Sequence, residues 1–262
     1  MKKIRTIIRK EWAEVFKNRL VLSTVIFLPL LFIALPLIML YMTADTGNSD
    51  LTSEMPSQFT QLCPSGVSTG ECFQVFMVNQ MMLLFMLTPL IIPVNIAAYS
   101  IVGEKTTRSL EPLLATPITT AELLIGKNMA AAVPAVGATW GAFLIFIIGA
   151  SILIDSAQVM SSLLDPMWWI AILLVGPLLA ILSVNFSIMV SSRVNEPRVA
   201  EQLSAVVILP ILALFFGQLF GVVLINRQLV LAIAIVLIFV DIAMVYMAVR
   251  LFQRETILTR WK

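Results

Sequence analysis

The chain has 262 residues, of which 60% are apolar and 12% charged, against about half and about a quarter in a soluble domain. So few charged groups cannot clothe a water-facing surface, and lipid is read as the solvent for most of the molecule. There is no His and there are only two Cys, which removes the commonest proton shuttle and leaves too few thiols for a four-ligand zinc site. No metal site and no catalytic residues are expected.

The first element is residues 1–19. In "KKIRTIIRKEWAEVFKNR", Ile4, Ile8, Trp12 and Val15 recur at helical spacing, with Ile7 and Phe16 beside them and basic residues elsewhere. The pattern predicts an amphipathic helix in the headgroup plane, its Trp at the interface. Orienting the first span and touching a soluble partner both remain open as its role. The first span, about 20–42, carries no charge; Pro29 and Pro36 are tolerable where neighbouring helices satisfy the freed carbonyls. Its apolar run is too long for a signal peptide and no small-x-small site follows it, so a retained span is expected.

The loop 43–74 is polar, acidic and rich in turn formers, and too short for an enzymatic domain. Cys63 and Cys72 frame "PSGVSTG", a segment that lets them meet as a structural disulfide if that side is oxidising; two free thiols are the alternative. The second span, about 75–101, contains Asn95 and is longer than a bilayer needs, so a tilt or bend at Pro89 and Pro93 is expected.

The segment 103–127 interrupts the apolar runs. Leu110, Leu113 and Leu114 are apolar beside the polar Glu104, Arg108 and Glu111, a pattern for a short amphipathic helix. Thr116 before Pro117 suits a helix start, and Thr119 with Glu122 has capping-box spacing. The leucines either rest against lipid and neighbouring helix ends, or fit a groove on a soluble partner.

Four more spans follow, about 129–154, 167–191, 203–225 and 229–250. Asn185 lies in the fourth with Ser183 and Ser187. Gln218 lies in the fifth, within "FFGQLFGVV", which reads as a broken or re-entrant element. The sixth holds one acid, Asp241. An ionised carboxylate at that depth costs several kcal/mol, about 3 on insertion scales. Two readings stay open for it: lining a translocation path or binding a cation, and a structural role, by an interhelical hydrogen bond to a Ser or Asn that fixes packing or by a place at a subunit seam. Asn95, Asn185 and Gln218 are weaker path candidates, since such residues often glue helices together. Continuous apolar runs favour helices over a barrel. The expected fold is therefore an all-α polytopic membrane protein, a single transmembrane domain over 1–262 with six spans.

Orientation follows from Lys and Arg. Seven precede the first span, three lie in 103–127, two between the fourth and fifth spans, and four in the tail; only Arg227 falls on the opposite side. Both termini and the segment 103–127 are thus expected in the cytoplasm of a multi-pass cell-membrane protein.

The stretch "GEKTTRSLEPLLATPITTAELLIGK" resembles the cytoplasmic signature of the ABC-2 family of transporter permeases. Glu104, Lys105, Ser109, Leu110, Glu111, Leu113, Leu114, Thr116, Pro117, Gly126 and Lys127 match it; Arg108 stands where Gly is often found. The resemblance implies a membrane-spanning permease subunit of an ATP-driven exporter. Its cytoplasmic coupling helix, with Glu104, Arg108, Leu110, Glu111, Leu113, Leu114, Thr116 and Pro117, would meet a separate ABC ATPase subunit that binds ATP and Mg. A second permease copy or a related permease would complete the pathway. No cofactor in this chain and no nucleic acid are implied. The chain has no G-x-x-x-x-G-K-[ST] pattern, which agrees with a partner supplying the energy. A stand-alone secondary transporter or channel is the alternative; it needs intramembrane relays, and only Asp241 is on offer. A membrane enzyme would need a cluster of acids, His or Cys near one interface.

Overall fold

The computed structural model describes residues 2–44, 69–106, 118–154 and 156–251. Among these, all regular structure is helical. The helices are α1 (Lys2–Val15), α2 (Arg19–Ala44), α3 (Thr69–Phe85), α4 (Thr88–Thr106), α5 (Thr120–Leu153), α6 (Ala157–Leu163), α7 (Pro166–Ile170), α8 (Gly176–Ser191), α9 (Pro197–Ser204), α10 (Leu209–Leu219) and α11 (Arg227–Leu251). Six helical segments are long and apolar enough to cross a membrane: Val21–Thr43, Gly70–Thr106, Thr120–Leu153, Ala157–Ser191, Pro197–Leu219 and Arg227–Leu251.

The second span is the axis of the bundle. Its most apolar stretch is 83% buried, against 17% in the fifth span. It is two helices, because the chain tightens at Met86 and Leu87, whose amides bond three residues back to Leu83 and Leu84. The break falls just before Pro89, which lacks the amide to continue α3 but suits the first turn of α4. Either side of Pro93, hydroxyls of α8 take up backbone carbonyls: Ser183 Oγ donates to Leu90 O at 2.6 Å and Ser187 Oγ to Val94 O at 3.3 Å.

The fourth span also departs from a plain helix. Ala171–Val175 forms a π-helical turn ahead of Gly176 and Pro177. In that register the partner of the Ile172 carbonyl is residue 177, a proline without an amide. Trp140 of α5 fills the vacancy: its Nε1 donates to Ile172 O at 3.1 Å.

Apolar packing falls into two main clusters. One gathers Phe32, Phe85, Phe143, Phe146, Leu163 and Trp168 from α2, α3, α5, α6 and α7. The other, nearer the Lys- and Arg-rich end, gathers residues such as Val15, Val21, Ile101, Leu124, Ile188 and Ala248.

Element ends differ from the expectation in several places; the second span runs on to Thr106 rather than about 101, and the third begins at Thr120 rather than about 129. Residues 69–74, expected in the loop 43–74, belong to α3. Between the third and fourth spans the chain forms α6, too short for a periodic signal. The fifth span begins at Pro197 rather than about 203 and ends at Leu219 rather than about 225. After Leu219 the chain turns through Gly221 at φ 70°, and the amides of Val222 and Val223 both bond Gly217 O, at 2.8 and 3.0 Å. That turn closes the helix within "FFGQLFGVV".

Candidate functional site

The segment singled out by sequence is described at its two ends. Glu104 closes α4, and Thr119 caps α5. Arg108, Leu110, Glu111, Leu113, Leu114, Thr116 and Pro117 lie outside the described residues, as does Cys63. The α5 cap is a full capping box: Thr119 Oγ1 accepts from the Glu122 amide at 3.2 Å, and Glu122 Oε2 accepts from the Thr119 amide at 2.9 Å.

What lies beside these ends is a buried charge cluster. Lys127 Nζ is 2.9 Å from Glu11 Oε1 and 2.8 Å from Glu104 Oε2, and it donates to Ser100 Oγ at 2.6 Å. The contact with Glu104 is an ion pair rather than an aligned hydrogen bond. Lys10 donates to Glu104 Oε1 and lies 3.7 Å from Glu11 and 3.5 Å from Glu14. The side chains of Glu11, Glu104 and Lys127 are only 3–4% exposed. Lys10 and Lys127 balance Glu11 and Glu104, which makes burial of these four groups affordable.

Local geometry assembles the cluster. On α1 the covered stripe is Ile4, Ile7, Ile8, Glu11, Trp12 and Val15, one face of a 3.6-residue helix. Trp12 Nε1 donates to Ala130 O of α5 at 3.0 Å. Ile7 packs on Gly126 so closely that a Cβ there would lie 2.9 Å from Ile7 Cγ2. The apolar face of α1 is therefore laid against α5 rather than left to headgroups, and this brings Glu11 to Lys127. Glu11 gives the electrostatic consequence. Burial pushes its pKa up, but the Lys127 charge, hydrogen bonds from Ser100 and Lys127, and Lys10 outweigh it and hold the carboxyl below its usual range. For Lys10, burial acts to lower the pKa, and its bond to Glu104 with the nearby carboxylates raises it above the usual value.

Lys105 fastens the same end to the fourth span. Its Nζ lies 3.4 Å from Ser192 O and 3.2 Å from Val194 O, carbonyls at and after the C-terminus of α8. Ala98, Val102 and Ala200 pack there with Val194.

The intramembrane candidates do not converge on one point. Asn185 is buried on α8; its Oδ1 accepts from Asn128 Nδ2 at 3.1 Å and its Nδ2 donates to Ile181 O at 2.9 Å. It lines a cleft of about 650 Å³ between α5, α8 and α11, with Asn128, Trp140, Val245 and Val249. Asp241 lies farther along α11, 6% exposed. Neither of its carboxylate oxygens has a hydrogen-bond partner among the described residues. Among the described residues no interhelical hydrogen bond reaches it. Asn95 is buried on α4 and Gln218 on α10, and neither lines this cleft. Near the other end of the fifth span, Gln80 Nε2 of α3 donates to Phe215 O at 3.0 Å. Cys72, at the start of α3, is disulfide-bonded and buried with Phe73 and Phe76.

Sequence reasoning left out Lys10, Glu11, Ser100, Gln80, Asn128 and Trp140. For Glu11 a signal existed: it stands on the apolar stripe of α1, one turn from Ile7 and one from Val15. An acid there asks for a buried cation. Lys127 was visible only as the end of a signature. The others carry no pattern, because their roles arise from contacts between distant helices.

The family model described as "ABC-2 family transporter protein" matches residues 5–256, nearly the whole chain. Among curated proteins no match is found.

Proposed function

The chain belongs to the ABC-2 family of transporter proteins, and from that premise we propose that it is the permease subunit of an ATP-driven exporter, worked by a separate ATPase docking on the segment between α4 and α5. The protein is a multi-pass membrane transporter component. In this reading the Lys- and Arg-rich end is cytoplasmic, in the cell membrane, with both chain termini on that side.

The observation that carries the reading is the buried charge cluster. It joins α1, the end of the central span and the start of the third span, at both roots of the proposed docking segment. A push on that segment is thereby delivered to three helices together instead of being absorbed by one loop. Because α4 belongs to the most buried span, displacement at Glu104 must be passed on to its neighbours. Nucleotide binding would draw two ATPase subunits together, and two permeases would part or close along their shared seam. The second permease copy finds a broad apolar surface on the fifth span, where Leu203, Val206, Leu209 and Phe216 are exposed.

The test is to replace Leu110, Leu113 and Leu114 together with Ser. The proposal expects the ATPase to stop co-purifying while the chain still inserts in the membrane. An ATPase that remains bound at undiminished yield would contradict docking on this segment. The stand-alone secondary transporter has one supporting observation, the Asp241 carboxyl without a hydrogen-bond partner among the described residues. The other buried charged side chains among those residues, Glu11, Glu104 and Lys127, sit together at one end.

A further inference from the structure

Asp241, Val245 and Val249 follow one another at four-residue steps and form one stripe of α11. Val245 and Val249 belong to two hollows at once. One is the cleft of about 650 Å³ between α5, α8 and α11; the other is a smaller hollow of about 450 Å³ that reaches Asp241. The two adjoin along Val245 and Val249, and the smaller hollow carries the cleft over the face of α11, past Ile242 and Tyr246, to the buried Asp241. Besides Asp241, their polar side chains are Asn128 and Asn185, which bond each other, Trp140, whose Nε1 is bonded to Ile172 O, and Tyr246.

In such surroundings a carboxyl group stays charged only beside a counter-charge and otherwise holds a proton. No described Lys or Arg makes an ion pair with it. Of the two cations on the same helix, Arg227 stands at its first residue, and the Arg250 guanidinium is held 4.5 Å over the ring of Tyr246, which lines the smaller hollow. A bare metal ion is a poor occupant. It needs several oxygen ligands, and no group of three acids, His or Cys exists among the described residues. A cation that brings its own apolar body suits both hollows. Its charge answers the carboxylate and its body replaces lipid against Val245, Val249, Met129 and Trp140.

We propose that the cleft between α5, α8 and α11, with its extension along α11, binds an amphiphilic organic monocation, with its cationic centre in the extension at Asp241 and its apolar body along Val245 and Val249 towards Trp140. This deepens the transporter reading by naming a substrate class. It depends on that reading only for what happens to the ligand after binding.

The test uses the full chain, purified and placed in lipid nanodiscs without any ATPase, so that its failure leaves the ATPase reading untouched. Binding of radiolabelled tetraphenylphosphonium is measured by equilibrium dialysis, with neutral triphenylphosphine oxide as competitor. Saturable binding is expected, weakened at least about tenfold by Asp241→Asn, the loss of one charge-assisted contact. Asp241→Glu should keep most of it. Val245→Trp, which fills the cleft where its extension begins, should abolish it with the carboxylate intact. The Asp241→Asn protein should unfold at the same temperature or higher, since a buried carboxyl group has been removed. Equal binding by wild type and Asp241→Asn would overturn the proposal, as would no saturable binding. Displacement by sodium, or by triphenylphosphine oxide as readily as by unlabelled cation, would overturn it too.

Discussion

Lys127 sits where two carboxylates need it. Removing it as Lys127→Met leaves Glu11 and Glu104 buried with one ammonium between them, that of Lys10, which is partly exposed. Breaking a buried pair from one side costs about 3–5 kcal/mol. Thermal unfolding of the purified protein should fall accordingly, and Glu11→Gln with Glu104→Gln in the same chain should recover most of the loss. A Lys127→Met protein as stable as wild type would show that the cluster holds nothing together. The cluster also predicts an acid limb. Glu11 has a folded-state pKa below its ordinary 4.5. Its contribution is therefore complete above that value and is lost as pH falls through the folded-state value. Between about pH 6 and about pH 3, Glu11→Gln should lose less stability than wild type. Parallel curves would contradict the pairing. The apolar stripe of α1 was legible as a stripe, and Glu11 was the residue on it that did not belong. Its partner was not legible, because Lys127 is 116 positions away and only folding brings them together.

The helices as elements were read from apolar length, and six spans appear where six were expected. Their interruptions were harder to read. Pro89 and Pro93 signalled a bend, and the break lies just ahead of them at Met86–Leu87, since a proline unsettles the turn before it. The π turn in the fourth span had no signal beyond Pro177, because the carbonyl it frees is satisfied by Trp140 from another helix. This gives an element-scale prediction. Trp140→Phe should cost about 1–3 kcal/mol by leaving the Ile172 carbonyl unpaired. Pro177→Ala supplies an amide to that carbonyl and should suppress the loss. If Pro177→Ala worsens the Trp140→Phe protein instead, the proline is not what makes the turn. The short α6 went unread because seven residues hold too few turns for a period to emerge.

At the scale of the whole molecule, what matters is a bundle whose most buried span leads into the proposed docking segment at one end. The orientation is an expectation from charge alone, because the membrane sorts Lys and Arg. Sixteen of the seventeen Lys and Arg lie on one side of the predicted spans. The hollow at Asp241 was half legible. An acid in a span announces itself, but whether it is paired depends on which neighbours α11 meets. The proposed joint action of α1, α4 and α5 requires the segment 103–127 to face the ATPase. That is measured most directly by Arg108→Cys, in a chain with Cys63→Ser and Cys72→Ser, probed with a membrane-impermeant maleimide. The account predicts labelling in inside-out vesicles, none in intact cells, and protection when the ATPase is bound. Labelling from the outside of intact cells alone would contradict both the orientation and the coupling.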